Sequence, residues 1–77
     1  MPHYQEHALR MIQLLVNGEA RCMPPGASIA DLVQEFALTG KRIAIERNGE
    51  IVPRSRHAVT QLAHGDRLEI VVAVGGG

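Results

Sequence analysis

The residues with the least encumbered chemistry in this sequence are its last three, Gly75, Gly76 and Gly77. Lacking Cβ atoms, they leave the backbone carboxylate unscreened and the chain conformationally free. Fully extended, three residues reach roughly 10 Å, enough to thread a narrow channel in another protein. At the end of such a channel the carboxylate of Gly77 is placed for activation, for example as an acyl-adenylate. Any side chain at Gly75 or Gly76 would narrow the fit. A glycine triplet by itself fits a frayed terminus equally well. Its position gives it weight: the apolar segment Arg67–Val74 (RLEIVVAV) leads directly into it.

The other reactive types are less organised. Cys22 is the single thiol. Its neighbours Arg21, Met23 and Pro24 include no His or Asp to activate it, so an inert, half-buried strand position is favoured over a nucleophile or persulfide site. His57 and His64 lie seven residues apart, beside Arg54, Arg56 and Asp66. There is no CxxC, and the one i, i+4 histidine pair, His3 and His7, falls in a polar leader, so no metal site is expected. The histidines read as surface or loop-packing residues. Ser55, His57 and Asp66 are the residue types of a hydrolytic triad, but their spacing gives that arrangement no support. Lys41, Arg42, Arg47, Arg54 and Arg56 form a candidate basic patch interleaved with Glu46 and Glu50. It reads either as a solvated surface or as a docking patch.

The elements that must position these groups follow from local pattern. In Ile12–Val16 (IQLLV), Ile12, Leu14 and Val16 share one face, and Asn17-Gly18 is a hairpin turn returning through Glu19–Met23. Pro24-Pro25-Gly26 stops that strand. Ser28 caps a helix with Asp31 as its capping-box partner, and Ile29, Leu32, Val33 and Phe36 make its apolar stripe. Thr39-Gly40 is its expected end. Ile43–Arg47, Asn48-Gly49 and Glu50–Val52 predict a second hairpin, limited by Pro53. Arg54–His64 is irregular, with a short helical turn seating Ala58 and Leu62, and Gly65-Asp66 turns into the last strand, Arg67–Val74. There Leu68, Ile70, Val72 and Val74 face the core. Leu15, Val71 and Ala73 lie on the opposite side of their strands and would expose an apolar patch if no helix covers it.

The fold class is therefore α+β, a mixed sheet of four or five strands packed on one main helix. Residues 1–10 read as a leader, either disordered or foreign to the natural protein with Met11 as the start; 11–74 form the domain and 75–77 the glycine tail. With 77 residues there is room for one domain. Eight basic and eight acidic residues cancel, against the basic stripe of a nucleic-acid binder and the polybasic anchor of a membrane-surface protein. No apolar run approaches the roughly 20 residues that span a bilayer, and no signal peptide is evident. A cytoplasmic domain is expected. One Phe, one Tyr and no Trp make the core aliphatic, and a chain this short leaves little interior for an enclosed active site. No catalytic residue is expected.

Five stretches together resemble the ThiS family, the bacterial sulfur carriers of thiamin biosynthesis, which are ubiquitin-like proteins of the β-grasp fold. They are Val16-Asn17-Gly18; Asn48-Gly49-Glu50-Ile51-Val52-Pro53-Arg54 followed by His57; Leu62-Ala63-His64-Gly65-Asp66; Leu68-Glu69-Ile70-Val71; and the glycine end. The resemblance runs from Met11 to Gly77. It implies that a ubiquitin-activating-type adenylating enzyme uses ATP and magnesium to convert the Gly77 carboxylate to an acyl-adenylate. A cysteine desulfurase or other donor then supplies sulfur, leaving a thiocarboxylate that thiazole synthase takes into the thiazole ring. The carrier itself would bind no cofactor and no metal. The family's essential diglycine maps onto Gly76 and Gly77, with Gly75 an extra spacer, and the leader has no family counterpart.

Two alternatives remain at this level. One is a sulfur carrier for molybdopterin or cysteine synthesis, although the approach Val71–Val74 lacks the proline usual in molybdopterin carriers. The other is a β-grasp binding module whose glycines do nothing.

Overall fold

A computed structural model of the chain describes residues 10–73. The leader residues 1–9, Val74 and the tail residues Gly75, Gly76 and Gly77 lie outside the described residues. The elements run β1 (Ile12–Val16), β2 (Glu19–Met23), α1 (Ile29–Glu35), β3 (Ile43–Arg47), β4 (Glu50–Val52), a 3₁₀ turn (Arg54–Arg56) and β5 (Arg67–Val72). The strands form one five-stranded mixed sheet in the order β2-β1-β5-β3-β4. β1 and β5 are parallel, and the other pairs antiparallel.

Both hairpins turn on Asn-Gly pairs with positive φ at each residue: 52° and 83° at Asn17 and Gly18, 51° and 88° at Asn48 and Gly49. This is the turn whose twist matches that of the flanking strands. The alternation of each strand then sends one set of side chains onto α1. Leu14, Val16, Met23, Ile45, Leu68 and Ile70 join Ile29, Leu32 and Val33 in a single aliphatic core. Ile29, Leu32, Ile45, Leu68 and Val16 are essentially sealed from solvent, each contributing about 1.5–3 kcal/mol of burial.

The N-terminus of α1 is capped as expected. Ser28 Oγ accepts from the Asp31 N–H (3.1 Å), and Asp31 Oδ2 accepts from the Ser28 N–H (2.8 Å). The next free donors are met from outside the helix: Ile29 N–H donates to the Thr60 carbonyl and Ala30 N–H to that of His57.

The C-terminus differs from expectation. α1 ends at Glu35 with Phe36 as cap, and the left-handed residue after it is Ala37 (φ 58°), not Gly40. Ala37 N–H donates to Gln34 and Leu38 N–H to Val33, which is the Schellman pattern. Leu38 packs against the core, and this contact, rather than glycine's freedom, sets the stop. A non-glycine residue in this region is strained by about 1–2 kcal/mol. Ala37→Gly should therefore stabilise the domain by about 0.5–1 kcal/mol, read as a higher urea midpoint at unchanged slope. A lower midpoint would mean that Ala37 is unstrained.

Three smaller corrections concern packing. Ala58 is exposed and the buried residue of that loop is His57, alongside the expected Leu62, because the loop closes over the start of α1 through the His57 and Thr60 carbonyls. Cys22 is exposed rather than half-buried, as β2 is an edge strand with only one neighbour. Val72, expected in the core with Leu68 and Ile70, is 41% exposed; it occupies the last rung of the sheet, opposite Ile43.

Candidate functional site

The strand that leads to the glycines is the central one, and it is held on both sides. Against β1, Leu15 N–H donates to the Asp66 carbonyl and Asn17 N–H to that of Leu68. The Asn17 side chain then adds a rung of its own: Oδ1 accepts from the Ile70 N–H (2.8 Å) and Nδ2 donates to the Ile70 carbonyl (3.1 Å). Against β3 the pairing runs from Arg47↔Leu68 to Ile43↔Val72. One further bond, Ala73 N–H to the Arg42 carbonyl (2.9 Å), holds the last described residue. β5 is thus fixed in the middle of the sheet up to Ala73, the last described residue before the glycines.

The start of β5 is fixed by Asp66. Its Oδ2 accepts from the Ala63 N–H (2.8 Å) and from Arg47 Nε (2.9 Å), and its Oδ1 accepts from Asn48 Nδ2 (3.1 Å). The Asn48 Oδ1 in turn accepts from the Arg67 N–H (2.9 Å). The same turn is stitched to β1 at Gln13, whose N–H donates to His64 Nδ1 (3.1 Å) and whose carbonyl accepts from the Gly65 N–H (2.8 Å). Burial pushes the Asp66 carboxyl upward, but the bonds from Ala63, Asn48 and Arg47 and the Arg47 charge outweigh it and hold it below its ordinary value of 3.8.

These contacts account for the chemistry-bearing residues one by one. His57 is buried and its Nε2–H donates to the Val52 carbonyl (3.0 Å). His64 accepts from Gln13, and Asp66 is committed to Arg47, Asn48 and Ala63, so Ser55, His57 and Asp66 are not brought together as a triad. Arg47 leaves the candidate basic patch for its ion pair with Asp66. Among the described residues no group of three or more His, Cys, Asp or Glu comes together to hold a metal ion, and no buried side-chain nitrogen or oxygen lacks a partner. No helix among them is long and apolar enough to cross a membrane. The positioning roles of Asn17, Asn48 and Asp66 were missed from sequence. The only local signals were their places in the Asn-Gly and Gly-Asp turns.

Of the apolar patch anticipated from Leu15, Val71 and Ala73, only Val71 (61% exposed) and the exposed Ala73 lie together beside the end of β5; Leu15, 40% exposed, is on the same face but sits opposite Arg67 at the other end of that strand. Ile51 on β4, opposite Glu46, adds to the same face at 70% exposure. The helix thus covers one face of the sheet, and the other carries exposed apolar side chains next to the tail's point of departure.

One helix across a five-stranded mixed sheet of this order, with the last strand at its centre, defines a ubiquitin-like β-grasp domain. The crystal structure of a thiamine biosynthesis protein (ThiS) from Geobacter metallireducens superposes with a TM-score of 0.72 at 25% identity, covering 86% of this chain and 100% of that one. The chain belongs to the ThiS family, whose model matches residues 14–77. It is 40% identical over 50 residues to the sulfur carrier protein ThiS of Bacillus subtilis, covering 76% of that protein. It is also 39% identical over 66 residues to a thiazole synthase of Paramagnetospirillum magneticum, and 27% identical over 66 residues to one of Magnetococcus marinus. The chain spans about a fifth (20%) of the length of each of these two synthases.

Proposed function

We propose that this chain is a sulfur carrier of thiamin biosynthesis whose working group is the Gly77 carboxylate. A ubiquitin-activating-type enzyme, with its own ATP and magnesium, joins that carboxylate to the α-phosphorus of ATP and releases pyrophosphate. A persulfide formed by a cysteine desulfurase then displaces AMP at the acyl carbon, and a thiol reductant cleaves the resulting acyl disulfide, itself ending as a disulfide, to leave a thiocarboxylate; a sulfide-level donor gives the thiocarboxylate directly. Thiazole synthase takes the sulfur from it. Gly75 and Gly76 supply the narrow reach that lets Gly77 enter each enzyme.

The observation that carries this reading is the central strand β5, clamped on both edges and leading into three glycines, in a chain of the ThiS family. The similarity to a fifth of two thiazole synthases supports the last step. A carrier-like segment on the synthase's own polypeptide raises the effective concentration of one for the other. The domain contributes no acid or base of its own, since adenylation already supplies the leaving group.

Intact mass spectrometry tests the proposal. The chain is incubated with ATP, magnesium, the adenylating enzyme of the same organism and a sulfur source. The expected result is a mass gain equal to sulfur replacing oxygen, localised to Gly77. No gain, with an enzyme that modifies a known carrier, would refute it in favour of a β-grasp binding module.

A further inference from the structure

A recess of about 380 Å³ lies where the chain leaves β5, lined by Arg42, Ile43, Ala44, Arg54, Val71 and Ala73. Two backbone contacts build it. Ala73 N–H donates to the Arg42 carbonyl (2.9 Å), and the Arg54 guanidinium donates to the Lys41 carbonyl (2.6 Å). Together they bring two exposed cations, Arg42 and Arg54, to the recess where the chain leaves β5, while Lys41 lines the cleft on the helix side with Leu38 and Ile43. The ion pairs found among the described residues, Arg47–Asp66 and Arg21–Glu19, involve none of them.

The chain as a whole is neutral, so this is charge segregation rather than surplus. Moving away from the exit along the uncovered face, the apolar pair Ala44 and Val71 comes next, then Glu46 directly opposite Glu69. A continuous basic stripe, as a polyanion needs, is absent. The surface is cationic at the exit, apolar behind it and acidic beyond, which is complementary to a protein with acidic side chains at the mouth of an apolar-lined channel. Rim charges of this kind steer encounter and set orientation.

We propose that Arg42 and Arg54 dock against an acidic rim around the channel that receives the glycine tail. This rests on the carrier reading above and adds the chemistry by which the partner is recognised. Arg42 and Arg54 act by positioning, aligning β5 with the channel before the tail enters.

The test is ATP–pyrophosphate exchange by the adenylating enzyme, with the full chain as the varied substrate. Arg42→Glu and the double variant Arg42→Glu/Arg54→Glu are expected to raise KM for the carrier roughly tenfold or more, with kcat unchanged and a flatter dependence of kcat/KM on salt. Arg67→Glu, the same charge change at the far end of the face, should leave KM within about twofold. Arg54→Glu also removes the bond to Lys41, so the single variant Arg42→Glu decides, since no hydrogen bond of the Arg42 side chain is found among the described residues. An unchanged KM overturns the proposal. So does an equal rise in Arg67→Glu, which means long-range charge alone, or a fall in kcat at constant KM, which places the cations on nucleotide phosphates. Absence of exchange with the unaltered chain overturns the carrier reading and this inference with it, an outcome distinct from the other three.

Discussion

Deleting Gly76 and Gly77 from a chain that ends at Gly77, or adding one alanine after it, should abolish activation while leaving the fold intact. An added residue moves the terminal carboxylate by roughly 3.5 Å. A misplacement of 1 Å at a reacting centre costs on the order of 10²-fold, so adenylate formation should fall at least that far. Gly77→Ala acts in the same direction by placing a methyl group beside the attacking oxygen. The described core runs from Leu14 to Ile70, and the described sheet ends at the bond from Ala73 to Arg42. The thermal unfolding curve should therefore be superimposable on that of the unaltered chain. Pyrophosphate exchange and circular dichroism on the same samples separate the two effects. Normal exchange by the lengthened chain would end the tail-threading account, and an altered melting curve would place the glycines in the fold.

The parts of this molecule that could be read from sequence are those fixed by neighbours along the chain. All four hairpin strands have the bounds that alternation and the two Asn-Gly turns require. The capping box at Ser28 and Asp31 is likewise local. What escaped reading depends on distant residues. The stop of α1 at Ala37 follows from where Leu38 packs, so the nearby glycine at position 40 misled. The fifth strand's place between β1 and β3 needs a parallel pairing across some fifty residues, which no short window contains. Asp66 looked like part of a turn, yet its partners Arg47 and Asn48 lie 19 and 18 residues away. The same pairing withdraws Arg47 from the basic patch, and of its other members Arg42 and Arg54 line the recess where the chain leaves β5. For the site, the glycine triplet was legible as composition, whereas the surface that presents it was not.

Asp66→Ala should be strongly destabilising. It strips partners from the Ala63 N–H, from Asn48 Nδ2 and from Arg47, and the Asp66 side chain they converge on is only 6% exposed. Removing one member of a buried charge pair costs about 3–5 kcal/mol. The Arg47 side chain is 30% exposed and water recovers part of its loss, which sets the expectation near the lower end, about 3 kcal/mol. A domain of this size holds roughly 4–11 kcal/mol in all, so the unfolding temperature should fall by roughly 12–24 °C. Asp66→Asn keeps the shape and one accepting oxygen, and should cost less, about 1–2 kcal/mol. Because the folded carboxyl lies below its ordinary value of 3.8, its contribution is fully present above that value and is lost as pH falls through the lower, folded one. Urea midpoints of wild type and Asp66→Asn, measured from neutral pH down to about pH 2.5, should therefore converge at the acid end. A gap that stays constant with pH would mean that the Asp66 charge contributes nothing and that only its shape matters. Convergence would identify Asp66 as the charge that joins the turn before β5 to the β3–β4 hairpin, and so sets the direction in which the central strand carries the tail.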